Sequence, residues 1–111
     1  MSFSPGDVLL VPVAFSDGSG FKKRPVVIIY DSGDADLLVI PVTSQNPRTM
    51  RDVAVTKWQA AGLRLPSILR LEKLATVEKS TVLKKMGRIA PEDWGQAKAI
   101  LKQIFADILA K

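Results

Sequence analysis

The sequence predicts a small α+β domain in which five or six short strands precede one C-terminal helix. Three observations carry that prediction. Apolar, β-branched runs recur through residues 6–90 and are separated by clusters of Gly, Ser, Asp and Asn. Beyond Pro91 the apolar residues switch to helical spacing. The chain has 111 residues, 47% of them hydrophobic, enough for one core and one domain over 1–111. Short strands followed by one helix imply a strongly bent sheet or partly open barrel with the helix packed on it.

"GDVLLVPVAF" (6–15) reads as the first strand, with Pro12 marking an edge or a bulge. "SDGSGFKK" (16–23) has no regular pattern and reads as a mobile loop. "RPVVIIY" (24–30) and "LLVIPVTS" (37–44) form a hairpin around the turn cluster "DSGDAD" (31–36). "QNPRTM" (45–50) is a second polar loop, "RDVAVTK" (51–57) an alternating fourth strand, and "WQAAGLRLP" (58–66) irregular. "SILRLEKLATV" (67–77) reads as one unbroken fifth strand, which puts Arg70 and Glu72 on one face. "VLKKMGRIA" (82–90) is a short last strand. The helix opens with Pro91 in its first turn and two acids beside it. Its apolar face is Trp94, Ala97, Leu101, Ile104, Phe105 and Ile108.

Composition excludes much chemistry. With no His and no Cys there is no Ser-His-Asp triad, thiolate nucleophile, disulfide or His-based metal site. Acid–base work falls to Asp, Glu, Lys, Arg or Tyr. No apolar run approaches the roughly 20 residues that span a bilayer. The N-terminal stretch lacks a signal peptide's basic start and long apolar run, so the expected location is the cytoplasm. The net charge is +5 and is concentrated centrally: residues 22–88 hold 13 Lys and Arg against 6 Asp and Glu. A basic centre suits a polyanionic partner, or is simply a solvated surface.

Few residues fit a site. Arg24 follows a loop and precedes Pro25, which restricts it to extended backbone; its fork of donors suits a phosphate, or it is a surface charge. Thr43 and Ser44 end the third strand, where their hydroxyls bond a phosphate or cap the loop that follows. Arg70 and Glu72 read either as a structural ion pair or as an acid–base pair. "SDGSG" lacks the spacing and lysine of a phosphate loop, and Asp31, Asp34 and Asp36 do not follow a calcium-loop pattern.

Taken in order, "GDVLLVPV", the Gly/Ser loop, "KKRPVVII", "LLVIPVTSQ", "PSILRLEKLATVEKSTVLKKMGRI" and the terminal helix resemble the MazF/PemK toxins of type II toxin–antitoxin systems. The resemblance implies an SH3-like barrel with a helix, usually a homodimer. It implies a metal-independent endoribonuclease that cuts single-stranded RNA, uses no cofactor and is neutralised by a cognate antitoxin. The toxin–antitoxin complex would also bind DNA. A binder that keeps the fold without cleaving is the alternative. By this resemblance Arg24, Thr43, Arg70 and Glu72 are catalytic, with Glu72 where some members carry an aspartate as base. Lys22, Lys23, Ser44, Gln45, Arg48 and Arg51 would contact RNA.

Overall fold

The two apolar runs around the Asp31–Asp36 turn do pair, and both belong to a longer ladder. The structure, a computed structural model, describes residues 2–111. Strand β1 spans Asp7–Ala14, β2 Phe21–Asp31 and β3 Asp36–Thr43. β2 starts at Phe21 rather than at 24, because Val13 pairs with Lys22 and Ala14 with Phe21. Lys22 and Lys23 therefore stand on a strand and not in the expected loop. Continuing the β1 register towards the turn satisfies their backbone groups, and the Phe15 N–H closes the loop on the Gly20 carbonyl at 2.8 Å.

The central strands do not alternate apolar with polar; they run Val8–Leu9, Val26–Val27–Ile28 and Val39–Ile40. Both faces of this part of the sheet are covered, which is what such runs require. One face (Val8, Val27, Ile40) packs on Val53, Leu69, Leu71 and the helix. The other (Leu9, Val11, Val26, Leu37, Val39) is closed by Phe3, Val77 and Val82.

β4 spans Asp52–Val55, β5 Ser67–Arg70, β6 Ala75–Glu78 and β7 Lys84–Arg88. The antiparallel sheet runs β4-β5-β3-β2-β1-β7, with β6 also on β3. The seven strands make a curled half-barrel. The expected fifth strand over 67–77 is broken. Val42 pairs with Leu69, yet Val39 pairs with Ala75, so moving three residues along β3 consumes six on the other side. The three extra residues, Leu71–Lys73, coil into a 3-10 turn. Leu71 is the cause: its side chain is fully buried, and the turn aims it into the core. Arg70 and Glu72 therefore do not share a strand face, which corrects the sequence expectation.

Helix α1 spans Pro91–Ala110 and lies against β4 and that 3-10 turn. Its N-terminus is tied down by Asp93, a buried carboxylate that accepts from Thr56 Oγ1 at 2.7 Å and the Lys57 N–H at 3.2 Å. Ala97, Leu101 and Ile104 are buried, as their spacing predicts. Phe105 and Ile108 are exposed, contrary to the apolar-face reading: the core reached by the helix takes Ala97, Leu101 and Ile104 and neither of these two. No helix is long and apolar enough to cross a membrane among the described residues.

Candidate nucleic-acid interface

The site forms where the sheet opens. β2 and β3 pair no further than Val26 with Pro41, since β3 then turns to β5 through Val42 and Thr43. Arg24 stands two residues before Val26 and Thr43 two residues after Pro41, so alternation puts both on one face. Arg70 follows Leu69, the partner of Val42, and falls on that same face. Three of the four residues expected to be catalytic are thus gathered at the mouth of the opening.

Hydrogen bonds join two of them. The Gln45 N–H donates to Thr43 Oγ1 at 3.2 Å, and Arg70 Nη2 donates to Gln45 Oε1 at 3.3 Å. Arg70 Nη1 donates to Asp52 Oδ2 at 3.3 Å. The same Asp52 oxygen accepts the Arg48 N–H at 2.7 Å and the Thr49 N–H at 3.3 Å. Asp52 therefore fixes both the 45–51 loop and the direction of Arg70.

Glu72 lies apart from this row. It accepts from Thr49 Oγ1 at 3.0 Å and pairs with Arg51 at 3.7 Å, without bonding Arg70. Arg51 also pairs with Asp107 of α1, so its charge is turned to the helix rather than offered to a ligand. Lys22 is exposed beside Val13, and the side chains of Ser44 and Arg48 are exposed and in no ion pair among the described residues.

Between the strand ends lies a cavity of about 380 Å³. Its floor is apolar: Leu10, Pro25, Val42, Leu63 and Met86. Its rim carries Lys23, Arg24, Arg64, Lys84 and Lys85, with Thr43, Ser44 and Ser67 supplying hydroxyls, and no carboxylate among the described residues lines it. Of the five cations only Lys85 has an acidic partner among the described residues, Asp7 at 3.2 Å. Asp7 also binds Arg88 at 2.7 Å and the Ser4 N–H at 2.9 Å. Burial pushes the Asp7 carboxyl up, but the Ser4 amide, Lys85 and Arg88 together outweigh it and hold the group below its usual range.

One wall of the cavity is formed by residues 62–65, whose segment lies close against β7 at two glycines. Gly62 has φ +86°, and a Cβ there would stand 2.1 Å from the Met86 carbonyl oxygen. A Cβ on Gly87 would stand 2.4 Å from the Ala61 carbonyl oxygen. Backbone meets backbone at this point, and no side chain fits between.

Sequence reasoning missed Asp52, Arg64, Lys84 and Lys85. The three cations lay within the basic central region, and only the pairing of β1 with β7 brings Lys84 and Lys85 to Lys23. Asp52 carried no signal, being one acid in an alternating strand.

Comparison with known proteins follows the same lines. The chain matches the family model for the PemK-like, MazF-like toxin of type II toxin-antitoxin system over residues 4–105. It is similar to a probable endoribonuclease MazF of Mycolicibacterium smegmatis, 33% identical over 76 residues, which cover 65% of this chain and 70% of that protein. Its fold is similar to a solved endoribonuclease in complex with its cognate antitoxin from a mycobacterial species: TM-score 0.75, 15% identity, 96% of each chain covered. A MazE–MazF structure from Deinococcus radiodurans gives a TM-score of 0.75 at 11% identity, covering 93% of this chain and 95% of that one.

Proposed function

Because the chain belongs to the PemK-like, MazF-like toxin family of type II toxin–antitoxin systems, we infer that it is an endoribonuclease cutting single-stranded RNA at the mouth of the cationic cavity. One observation supports this most: Lys23, Arg24, Arg64 and Lys84, all without an acidic partner among the described residues, converge beside the Arg24–Thr43 row. Solvated surface charge has no reason to gather on one apolar-floored opening.

In this reading the 2′-oxygen of a ribose attacks the adjacent phosphorus and the bond to the 5′-oxygen breaks. The 2′-hydroxyl proton leaves to solvent at the open mouth, and a proton returns to the departing 5′-oxygen. The products are a 2′,3′-cyclic phosphate and a 5′-hydroxyl. Arg24 takes the non-bridging phosphate oxygens, Thr43 donates its hydroxyl, and Arg70, aimed by Asp52, adds positive charge where negative charge grows. Glu72 braces Arg51 and Thr49 rather than acting as base. The chain has no His and no Cys, and no cluster of three acids suited to a metal occurs among the described residues. In this reading the reaction uses no metal or cofactor.

A cognate antitoxin, whose acidic segment would cover the cationic mouth, is the proposed regulatory partner; a solved relative was captured with one. Homodimerisation, DNA binding together with the antitoxin, an SH3-like description of the barrel and a cytoplasmic setting belong to the same reading. The decisive experiment incubates purified protein with single-stranded RNA in EDTA and identifies the ends. A 2′,3′-cyclic phosphate, or its opened product, is expected. Cleavage that requires magnesium and leaves 5′-phosphates refutes the mechanism, and RNA binding without cleavage refutes the activity.

A further inference from the structure

We propose that the cavity behind Arg24 and Thr43 is a nucleobase pocket that reads guanine beside the scissile phosphate, with Arg64 as the reading residue. The proposal deepens the endoribonuclease reading and rests on it for the identity of the strand.

Size is the first argument. At about 380 Å³ the cavity falls at the lower end of the roughly 300–1,000 Å³ typical of small-ligand sites, room for one nucleotide unit and not for a folded segment. Its lining has the make-up such sites share: an apolar floor for a flat ring and a few polar groups at the edge. Single-stranded RNA is recognised in this way, by bases turned out of the strand and bonded along their edges.

Chemistry at the rim selects the base. Arg64, Lys23 and Lys84 are donors only, and none is neutralised by an acid among the described residues. With no carboxylate in the lining, an edge rich in donors finds no charged acceptor. Guanine O6 and N7 present two acceptors side by side, which matches the fork of a guanidinium. Adenine and cytosine put an amino group towards the same cations, and uracil has no two adjacent acceptors for the fork, its O4 and O2 being separated by the N3–H donor.

Rigidity and continuity complete the argument. Arg64 follows Gly62, where the backbones of 61–62 and of Met86–Gly87 approach so closely that a Cβ on either glycine would clash. The segment carrying Arg64 is thus packed directly on a strand, the kind of support a reading residue needs. Arg24 and Thr43 line the same cavity as Arg64, so a base held inside would belong to the nucleotide whose phosphate they bind. Specificity at this position is then set by residues 62–65 and β7.

The test has two arms. In the first, the four nucleoside 3′-monophosphates are titrated against the whole protein while the Leu63 and Met86 methyl signals are followed by NMR. The guanosine nucleotide is expected to shift them at the lowest concentration, and the Arg64→Ala variant to lose that preference. In the second, fragment ends from an RNA of random sequence are compared for wild type, Arg64→Ala and Leu65→Trp, the last placing bulk at the exposed mouth. Discrimination at one position of the cleavage motif is expected to fall by ~10-fold or more in both variants. An unchanged motif in both, or cavity methyls that ignore all four nucleotides, overturns the proposal. Shifts of those methyls by an acidic antitoxin peptide alone overturn it in favour of a peptide pocket. If wild type cuts no RNA, the endoribonuclease reading fails by itself, and the nucleotide titration still decides what the cavity binds.

Discussion

Asp52 and Arg70 face each other across the β4–β5 pair, with Oδ2 and Nη1 3.3 Å apart and side chains only 4% and 12% exposed. The same carboxylate holds two amides of the 45–51 loop. Replacing it by Asn keeps the shape but leaves the guanidinium without a counter-charge. Asp52→Asn should cost about 1–3 kcal/mol of stability and lower cleavage further, since Arg70 is no longer aimed. Urea denaturation and single-turnover cleavage on the same preparation check this; wild-type stability would contradict it.

Arg24 is exposed and has no acidic partner among the described residues, so its removal should barely touch the fold. Arg24→Ala should reduce cleavage by about 10²–10³-fold, the effect of losing one transition-state donor, with stability within roughly 0.5 kcal/mol of wild type. A rate loss matched by a fall in melting temperature would instead make Arg24 structural.

Glu72 gives the opposite pattern. Its side chain is 43% exposed and tied to Arg51 and Thr49. Glu72→Gln should lower stability by under ~1 kcal/mol, as expected of an exposed pair, and leave the rate per folded molecule unchanged. A loss of about 10²–10⁴-fold with wild-type RNA binding would make it the general base after all.

Salt dependence separates free from paired cations. Lys23→Ala and Lys84→Ala should each reduce the slope of log affinity against log salt by roughly 0.7 per lost phosphate contact on a single strand. Arg51→Ala should leave that slope unchanged, because Glu72 and Asp107 already engage its guanidinium. Filter binding at several salt concentrations distinguishes them.

The Asp7 carboxyl sits below its usual range in the folded chain, so the unfolded chain binds more protons in acid. Its contribution is complete above the unfolded carboxyl's pKa of about 4 and is lost as pH falls through the folded value. Asp7→Asn should therefore destabilise at neutral pH and flatten the acid limb of the melting-temperature curve. An acid limb as steep as wild type would assign that limb to other carboxylates.

Strand positions could be read from the chain because apolar runs bounded by Gly and Asp leave little choice, and Pro91 marks the helix start. Thr43 could be placed because it closes an apolar run at the end of its strand; Arg24 and Arg70 could not be placed as fully, since β2 begins earlier, at Phe21, and Arg70 ends β5 instead of lying in mid-strand. The break at Leu71–Lys73 could not: Leu69 and Leu71 fit an unbroken strand as well as a coiled one, and only the competition of β5 and β6 for the same side of β3 decides. The partners of Arg51, Asp52 and Glu72 are equally non-local. Sequence alternation says which face a residue takes, not which charge waits there. Phe105 and Ile108 continue the helical spacing yet stay exposed, for spacing alone does not say how much of a helix face the core covers.

The 3-10 break between β5 and β6 also bears on how the chain is made. β3 sits mid-sheet, and one whole side of it is filled only by Ser67–Arg70 and Ala75–Glu78. During synthesis that side stays an open, apolar strand edge until the chain has been made from Thr43 through Glu78, the kind of surface that pairs with neighbouring chains. A nascent or truncated chain ending before Ser67 is thus a hazard of a different sort from the finished protein. Such a fragment should aggregate, whereas one ending after Arg88 keeps every partner of β3.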